Sequence, residues 1–383
     1  MRSVAILGST GSIGTQALDV IRQHPERFRV TALAAGRQVQ LLAEQVREFR
    51  PVLVSVPSPV EAEALRALLA PGERPAILTG PEGLEAVATE PGAEILLTSV
   101  VGALGLQPTL AGIRAGKAIA LANKETLVAA GELVMAEAAR YGAPIIPVDS
   151  EHSALFQCLV GEEKAKVARL ILTASGGPFR GRKDLSGIRK EQALKHPRWV
   201  MGAKVTIDSA SLMNKALEMI EARWLFGLPM QQIDVLVHPQ SIVHSLVEYV
   251  DGNQIAQLGP TDMRLPIQYA LGYPERLESR VLPRLNLAQV GTLTFEEPDQ
   301  ETFPSLDFAR WATEVGGTLP AVMNAANEVA VARFLADELS FGSIFRLVEA
   351  VMKQHDPSPA LELATILDAD GWARRMALAW RGA

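Results

Sequence analysis

The stretch Val4-Ala5-Ile6-Leu7-Gly8-Ser9-Thr10-Gly11-Ser12-Ile13-Gly14 decides the fold of the N-terminal part of this 383-residue chain. An apolar run leads into a loop of glycines and hydroxyl residues, and an amphipathic segment opens near Thr15. This order predicts a strand, a tight turn and a helix whose N-terminus can approach a pyrophosphate. The spacing GxxGxxG is a variant of the commoner dinucleotide-binding pattern, and the alternative is a tight turn that binds nothing.

The end of the second predicted strand indicates which dinucleotide the loop accepts. Folds specific for NAD usually carry an acidic residue there, which binds the ribose 2′-hydroxyl. This chain instead has Gly36, Arg37 and Gln38, so an acid is missing and an arginine is present. A guanidinium favours a 2′-phosphate, and the sequence therefore predicts NADP rather than NAD.

Short apolar runs alternate with amphipathic stretches as far as residue 149, which predicts βαβ units and a parallel sheet. The predicted strands are 4–7, 30–34, 52–56, 76–79, 95–98, 118–121 and 145–148.

The pattern changes after Glu151. Strand-like runs at 233–237, 242–250 and 254–258 indicate antiparallel structure, with a hairpin turn at Asp251-Gly252. The C-terminal periodicity is helical. We therefore predict an α/β protein in four segments: a Rossmann-like sheet domain, a central α+β domain, a linker and a helical bundle, at 1–149, 150–272, 273–304 and 305–383.

Composition excludes several classes of protein. The net charge is −6, and the chain has no basic run of the kind that nucleic acid or an acidic membrane surface would require. A single cysteine, Cys158, excludes an intramolecular disulfide and fits a reducing compartment. Neither a signal peptide nor a transmembrane run is expected, so the sequence predicts a cytoplasmic protein.

Carboxylates near the middle of the chain suggest a cation site. Asp149 and Glu151 follow an apolar run, and at a strand end they would project to the same side; a helix N-cap with a first-turn acid is equally open. Further on, Glu218 and Glu221 recur at helical spacing, and the spacing does not choose between them. Carboxylate oxygens without cysteine predict a hard ion, Mg²⁺ or Mn²⁺.

Two loops of small residues accompany these acids, at 175–177 and 208–211. Their hydroxyl and backbone N–H groups suit a phosphate monoester, especially with Asn214 and Lys215 at a helix start, although simple helix capping is the alternative. The loop 196–202 carries Trp199, which suits either a lid over the substrate or a surface anchor.

Over essentially its whole length the chain resembles the 1-deoxy-D-xylulose 5-phosphate reductoisomerases. The motifs that carry the resemblance are GSTGSIG at 8–14, LANKE at 121–125, VDSEH at 148–152, TASGGPF at 173–179, HPRWVMG at 196–202, DSASLMNK at 208–215 with Glu218, and HPQSIVH at 238–244. Two departures are slight: Gln38 stands where an asparagine is frequent, and Ala216 where a glycine is frequent.

The resemblance implies a role for each matching residue. It implies metal ligation by Asp149, Glu151 and Glu218, and phosphate binding by Ser175, Ser209, Asn214 and Lys215. It places Lys124, Ser150, Glu151 and His196 on the sugar chain, and Trp199 and Met201 in a closing loop. Lys124, Glu151, His196 and Glu218 are the expected catalytic residues. The cofactor would contact Thr10, Gly11, Ser12, Ile13, Gly36, Arg37, Gln38, Asn123, Glu125 and Gly202.

The implied activity is the rearrangement and reduction of 1-deoxy-D-xylulose 5-phosphate by NADPH and a divalent cation (Mg²⁺, Mn²⁺ or Co²⁺), in the methylerythritol phosphate route to isoprenoids. A homodimer is expected, with a small phosphosugar as substrate and with neither nucleic acid nor membrane as a partner. One alternative is a simple NADP-dependent dehydrogenase of a phosphorylated substrate. Another is a cofactor-sensing binding protein, which would tolerate loss of the carboxylates.

Overall fold

The computed structural model describes residues 1–199, 201–279, 281–282 and 284–382, so Val200 of the predicted lid loop lies outside the described residues. The chain divides into two compact units. Unit 1 comprises Met1–Thr126, Val134–Ser153 and Asp262–Leu282. Unit 2 comprises Leu127–Leu133, Ala154–Thr261 and the described residues beyond 282. These units interleave along the chain, and the four sequence segments proposed above stay a prediction.

Two sheets account for the described strands. The strands are β1 (Arg2–Leu7), β2 (Phe28–Ala34), β3 (Leu53–Val56), β4 (Ala76–Thr79), β5 (Ile95–Thr98), β6 (Ala118–Leu121), β7 (Ile145–Pro147), β8 (Val167–Ala174), β9 (Ile233–Val237), β10 (Val243–Tyr249) and β11 (Gln254–Leu258).

Helices connect and cover these strands. In the first part of the chain they are α1 (Ser12–Gln23), α2 (Val39–Phe49), α3 (Pro59–Leu68), α4 (Gly80–Ala88), α5 (Leu106–Arg114), α6 (Glu125–Tyr141) and α7 (Ser150–Cys158). Thereafter they are α8 (Lys190–Ala193), α9 (Ala203–Ala210), α10 (Met213–Phe226), α11 (Arg264–Gly272), α12 (Leu287–Val290), α13 (Ser305–Val315), α14 (Leu319–Leu335), α15 (Phe341–Gln354) and α16 (Leu363–Ala379).

Unit 1 is built on a seven-stranded parallel sheet in the order β4-β3-β2-β1-β5-β6-β7. Its central strands are apolar on both faces because helices cover both sides, and residues 4–7 of β1 are fully buried. The strand order reverses between β1 and β5, which is where ligands bind in sheets of this type. The predicted parallel sheet is confirmed, strand by strand.

Unit 2 is built on a four-stranded sheet in the order β11-β10-β8-β9. The hairpin of β10 and β11 is antiparallel as predicted, and β10 also runs antiparallel to β8. The expectation that residues 233–259 are antiparallel throughout is wrong for β9, which pairs with β8 in parallel. Helix α10 lies between β8 and β9 in the chain and provides the crossover that a parallel pair needs.

The C-terminal part of unit 2 is helical, and α14 packs against both α15 and α16. Helix α14 is buried nearly all round, from Leu319 to Phe334, so it forms the centre of this bundle. The apolar core of unit 2 runs continuously from the bundle to the sheet and includes Cys158, which is buried. The predicted fold class is confirmed. No helix within the described ranges is long and apolar enough to cross a membrane.

Candidate active site

Four of the loops that leave the parallel sheet at its carboxyl edge carry predicted site residues. They follow β1, β2, β6 and β7, and all four strands point the same way because the sheet is parallel. The predicted cofactor residues of unit 1 and the first two predicted metal ligands all lie on these loops or in the turn that follows them. Parallel topology therefore collects residues that are far apart in sequence at one edge of the sheet.

The glycine loop after β1 takes a conformation that side chains would prevent. Gly8 has φ of +88°, and a Cβ atom on Gly14 would lie 2.2 Å from the carbonyl oxygen of Gly8. The Gln45 Nε2 atom donates to the carbonyl oxygen of Ser9 over 2.9 Å and fixes the loop. Gly11 is the N-cap of α1 and provides no capping side chain. The first N–H groups of α1 are thus suited to a pyrophosphate.

The loop after β2 carries Gly36, Arg37 and Gln38, all exposed. Gln38 Nε2 donates to the carbonyl oxygen of Thr10 over 3.4 Å, so this loop contacts the glycine loop directly. Arg37 therefore lies on the segment that reads the ribose in folds of this type, and no acid accompanies it in that segment. The arrangement fits a 2′-phosphate.

At the end of β6, the side chains of Asn123 and Glu125 have internal partners. Asn123 Nδ2 donates to the carbonyl oxygen of Val100 over 2.7 Å and to Glu125 Oε2 over 3.1 Å. Asn123 is buried, and its side chain ties the end of β6 to the loop after β5. Their predicted contact with the cofactor stays a prediction.

Lys124 and Asp149 lie side by side because β6 and β7 are neighbours in the sheet. Leu121 of β6 pairs with Pro147 of β7, and the Lys124 ammonium lies 2.5 Å from Asp149 Oδ2. Asp149 precedes α7 and accepts from the backbone N–H of Ser150 over 3.0 Å. Glu151 is in the first turn and accepts from the Ser150 hydroxyl over 2.5 Å. Asp149 and Glu151 lie just past the end of β7, and their carboxylate oxygens come within 4.8 Å of each other, so the expected position and common side are confirmed. The helix start, not a period-two strand, produces this arrangement.

In unit 2, two glycines fold the loop after β8 against α9. Gly176 and Gly177 have φ of +82° and +65°, and a Cβ atom on Gly177 would lie 2.8 Å from the carbonyl oxygen of Ser209. Ser175 is on this loop, and its hydroxyl accepts from the backbone N–H of Gly177 over 3.1 Å. The close approach brings together the two small-residue segments that the sequence singled out. The expectation of a loop at 208–211 is wrong, because residues 208–210 form the last turn of α9.

His196 of the predicted lid loop contacts Ser175 in the loop after β8. Its Nδ1 atom accepts from the backbone N–H groups of Arg198 and Trp199, at 3.2 and 2.8 Å. Nε2 therefore carries the proton in the neutral ring and donates to the Ser175 hydroxyl over 2.9 Å. The Trp199 ring lies 6.2 Å from that of His244. Met201 is half-buried, and Gly202 is the exposed N-cap of α9.

Helix α10 begins after α9 and the two residues Ser211 and Leu212, and it carries a charged pair that is buried. Leu212, just before it, has φ of +59°, a strained conformation for a leucine. Asn214 Nδ2 donates to Glu218 Oε1 over 2.5 Å, and the Lys215 ammonium pairs with Glu218 Oε2. Lys215 and Glu218 are 3% and 0% exposed, so their charges depend on each other. Glu221 is also fully buried, so burial does not distinguish the two glutamates.

Asp208, for which the sequence predicts no separate role, is buried in the last turn of α9. Its carboxylate contacts Lys204 in the same helix and Asn327 in α14. The contact with Asn327 joins residues more than a hundred positions apart, so no local pattern reveals it. A buried acid near the C-terminus of a helix, where the helix dipole disfavours it, is the only available signal.

A parallel sheet with a glycine loop at its switch point, together with charged and hydroxyl-bearing loops on a second unit, defines the class of dinucleotide-dependent oxidoreductases. Comparison with known proteins identifies the family. Models of 1-deoxy-D-xylulose 5-phosphate reductoisomerase match residues 4–131, and those of its C-terminal domains match 145–226 and 258–376.

Relatives and solved structures of that name cover nearly the whole chain. The protein from Symbiobacterium thermophilum is 67% identical over 97% of both chains, and that from Chlorobium phaeobacteroides is 56% identical over 98% of both. The solved structure of the Zymomonas mobilis enzyme in complex with NADPH has a TM-score of 0.92 at 41% identity, covering 99% of this chain and 98% of that one. A DOX-P reductoisomerase in complex with NADPH, fosmidomycin and magnesium gives 0.93 at 42%, with the same coverage. The chain belongs to the 1-deoxy-D-xylulose 5-phosphate reductoisomerase family.

Proposed function

We propose that this chain catalyses the NADPH- and divalent-metal-dependent conversion of 1-deoxy-D-xylulose 5-phosphate to 2-C-methyl-D-erythritol 4-phosphate. The observation that carries the proposal is the cluster of half-buried Asn214 with buried Lys215 and Glu218, which follows the contact between the loop after β8 and the last turn of α9. A plain dehydrogenase needs no such cluster of buried charge. Membership of the family supports the same activity.

NADPH is the proposed reductant and supplies a hydride. The glycine loop and the start of α1 bind its pyrophosphate through backbone N–H groups, and Arg37 binds the 2′-phosphate. The remaining cofactor contacts of unit 1 are proposed for Thr10, Gly11, Ser12, Ile13, Gly36, Gln38, Asn123 and Glu125. In unit 2, Gly202 is proposed to contact the same molecule.

Asp149, Glu151 and Glu218 are the proposed metal ligands. Their oxygen donors suit Mg²⁺, Mn²⁺ or Co²⁺, and each carboxylate has a defined partner in its own unit: Lys124, Ser150 or Lys215. When bound, a divalent ion polarises a substrate carbonyl as a Lewis acid. Before it binds, the ammonium groups of Lys124 and Lys215 balance the charge of Asp149 and Glu218.

The phosphate of the substrate is proposed to bind where the loop after β8 meets the last turn of α9 in unit 2. Ser175 and Ser209 offer hydroxyl groups, and α10 offers its N-terminal turn with Asn214 and Lys215. Lys124, Ser150, Glu151 and His196 contact the sugar chain in this proposal. The protonated Nε2 atom of His196 already donates to Ser175, so one hydrogen-bond network serves both substrate ends.

The reaction requires a carbon–carbon bond to break and re-form before the branched aldehyde is reduced. Binding the phosphate fixes one end of the substrate, so that both steps occur without release. Closure of the loop with Trp199 and Met201 over the substrate would exclude water that could protonate the enolate formed when the carbon–carbon bond breaks, before that bond re-forms.

The test is the NADPH absorbance after addition of 1-deoxy-D-xylulose 5-phosphate, with and without a chelator. We expect oxidation that stops on chelation and returns with Mg²⁺ or Mn²⁺. Turnover that persists after complete removal of the metal would favour a simple dehydrogenase. Replacing NADPH with NADH serves as the control for the role of Arg37, and a preference for NADH would contradict that role.

The enzyme is further proposed to be a cytoplasmic homodimer. Strand β11 lies at the edge of its sheet and Ile255 on it is 40% exposed, so a second copy could pair with it or pack on it. The buried cysteine fits a reducing compartment. Light scattering at micromolar concentration tests the assembly, and a monomer mass would contradict it. Fractionation of the native cell tests the location.

A further inference from the structure

The buried acid Asp208 is unfavourable by the local rules of helix stability. It lies in the last turn of α9, where the negative end of the helix dipole disfavours a carboxylate. Its partner in the same helix, Lys204, precedes it by four residues, which is the weaker order for such a pair. The side chain is only 1% exposed, so solvation does not compensate. Something outside α9 must account for a charge at this position.

That outside contact comes from the C-terminal helical bundle. Asn327, in the middle of α14, donates from Nδ2 to Asp208 Oδ1 over 2.8 Å, while the Lys204 ammonium lies 2.8 Å from Oδ2. Asn327 is itself 0% exposed. One carboxylate oxygen therefore accepts a hydrogen bond from α14, and the other forms an ion pair within α9. A carboxylate held at both oxygens fixes the orientation of the last turn of α9.

This last turn is where the phosphate site is proposed. Ser209 follows Asp208 directly, and its carbonyl oxygen is the atom that the Gly177 backbone approaches. A small rotation of the turn would move the Ser209 hydroxyl and also change the fit of the loop with Ser175. The chain then passes through the strained Leu212 into Asn214 and Lys215, so the same displacement would propagate to the start of α10.

We propose that Asn327 is a positioning residue for the substrate phosphate, acting through the Asp208 carboxylate. The inference rests on the proposed function, since it requires that Ser209 bind phosphate. It gives the C-terminal helices a part in substrate affinity, although no residue of α14 contacts the substrate in the proposal. The expected signature is a weaker affinity for the phosphorylated substrate with little change in cofactor affinity.

The chain offers a matched control in Asn324. It is the same residue type, lies one turn earlier in α14 and is equally buried, yet its Nδ2 atom donates to Glu328 of its own helix over 3.0 Å. Asn327→Ala and Asn324→Ala thus remove the same atoms from the same helix. Both should lower the thermal stability, but only Asn327→Ala removes a contact with α9.

The experiment measures kcat and KM for 1-deoxy-D-xylulose 5-phosphate, KM for NADPH and the thermal midpoint for both variants. For Asn327→Ala we expect KM for the sugar phosphate to rise about tenfold, the size of losing one hydrogen bond to a charge. NADPH affinity should stay within about twofold, and Asn324→Ala should leave both KM values unchanged. Equal stability losses with unchanged substrate KM in both variants would overturn the proposal.

Two further variants separate the possible failures. Ser209→Ala tests the phosphate assignment itself: if it leaves the substrate KM unchanged, the proposed phosphate site falls, and this inference with it. If Ser209→Ala raises KM and Asn327→Ala does not, only the positioning role is overturned. Asp208→Asn keeps the shape of the side chain, and its KM for the sugar phosphate tests the same proposal if Asn327→Ala does not fold. The same rise in KM is then expected, and an unchanged KM would contradict the proposal.

The double variant completes the test. If Asn327 acts only through the Asp208 carboxylate, Asn327→Ala should add little to the KM of Asp208→Asn. Fully additive effects would show that Asn327 acts by another route and would overturn the proposed mechanism.

Discussion

The glycine loop of unit 1 and the start of α10 in unit 2 are both proposed to bind phosphate groups, but they are built differently. The loop at 8–14 is a contiguous run that uses backbone N–H groups, carries no charge and lies at the switch point of the sheet. Residues 214–218 rely on buried side-chain charge, with Lys215 and Glu218 paired away from water. The first depends on shape and the second on charge balance.

This difference predicts that the two regions fail in different ways. Backbone shape is lost when a side chain is added, whereas charge balance is lost when one charge is removed with the shape kept. Substitutions can therefore be chosen that damage one region and spare the other.

The largest effect is expected for Glu218→Gln, which keeps the shape and removes the charge. If Glu218 binds the metal as proposed, its loss should lower kcat by roughly 10³-fold or more, with NADPH affinity nearly unchanged. Steady-state kinetics and NADPH fluorescence titration measure the two quantities. Glu221→Gln, in the same helix and equally buried, is the matched control and should retain more activity. Equal loss of turnover and NADPH binding in Glu218→Gln would count against a metal role.

Gly14→Ala tests the glycine loop by adding a methyl group, whereas Glu218→Gln removes a charge. The new Cβ atom would lie 2.2 Å from the Gly8 carbonyl oxygen, so the loop must shift. We expect kcat/KM for NADPH to fall by roughly 10²-fold, because a displacement of about 1 Å at a binding group has effects of this size. In Gly11→Ala the nearest contact would be 3.3 Å, which asks for a much smaller adjustment. A similar fall in both variants would contradict the steric explanation.

Gly177→Ala asks whether unit 2 also contains a region that depends on shape. Its φ of +65° disfavours alanine, and the added Cβ atom would lie 2.8 Å from the Ser209 carbonyl oxygen. KM for the sugar phosphate should rise about tenfold, since overpacking of this kind costs about 1–3 kcal/mol. Gly181 has φ of +78° but open space around its Cβ position, so Gly181→Ala separates backbone strain from the clash. A rise in KM of the same size in both variants would exclude the clash as the cause.

The smallest expected effect is a change in the pH dependence of stability, and it concerns unit 2 alone. Burial lowers the pKa of His355 from 6.5, and the nearby Asp356 partly opposes this shift. The ring Nε2 atom lies 2.7 Å from the Thr318 hydroxyl, and the ring packs against Trp372. His355 therefore takes up a proton more readily in the unfolded chain than in the folded one. The contribution of the neutral ring to the free energy of unfolding is complete above pH 6.5 and is lost as the pH falls below that value. Urea denaturation at pH 7.5 and 5.5 measures the loss. His355→Gln should reduce the difference in the free energy of unfolding between the two pH values, and an unchanged difference would contradict the prediction.

Prediction from sequence succeeded where structure follows from neighbouring residues. The seven parallel strands, the glycine loop and the hairpin at Asp251-Gly252 each have a local pattern, and the structure confirms them. The error at β9 has a different origin, because its pairing with β8 depends on α10 acting as a crossover. At Asp149 and Glu151 two local patterns competed, and the start of α7 prevailed over strand alternation.

The site was predictable to a similar extent. Residue type and spacing indicated the acids and the small-residue loops, while the assignment of particular roles depended on family resemblance and stays a prediction. The contacts that support the site were not predictable, since Lys124 meets Asp149 only through adjacent strands and Asp208 meets Asn327 only through helix packing. Such pairs have no sequence spacing in common that a pattern could reveal.

The one cysteine of the chain makes the proposed loop closure accessible to site-specific labelling. Cys158 is buried, and burial raises the pKa of its thiol to about 11, so it reacts slowly with maleimides at neutral pH. A cysteine introduced at the exposed Arg198 would therefore be labelled selectively in the otherwise native enzyme. Fluorescent or spin probes attached there would test the proposed closure over the substrate during turnover, with no need for a cysteine-free background.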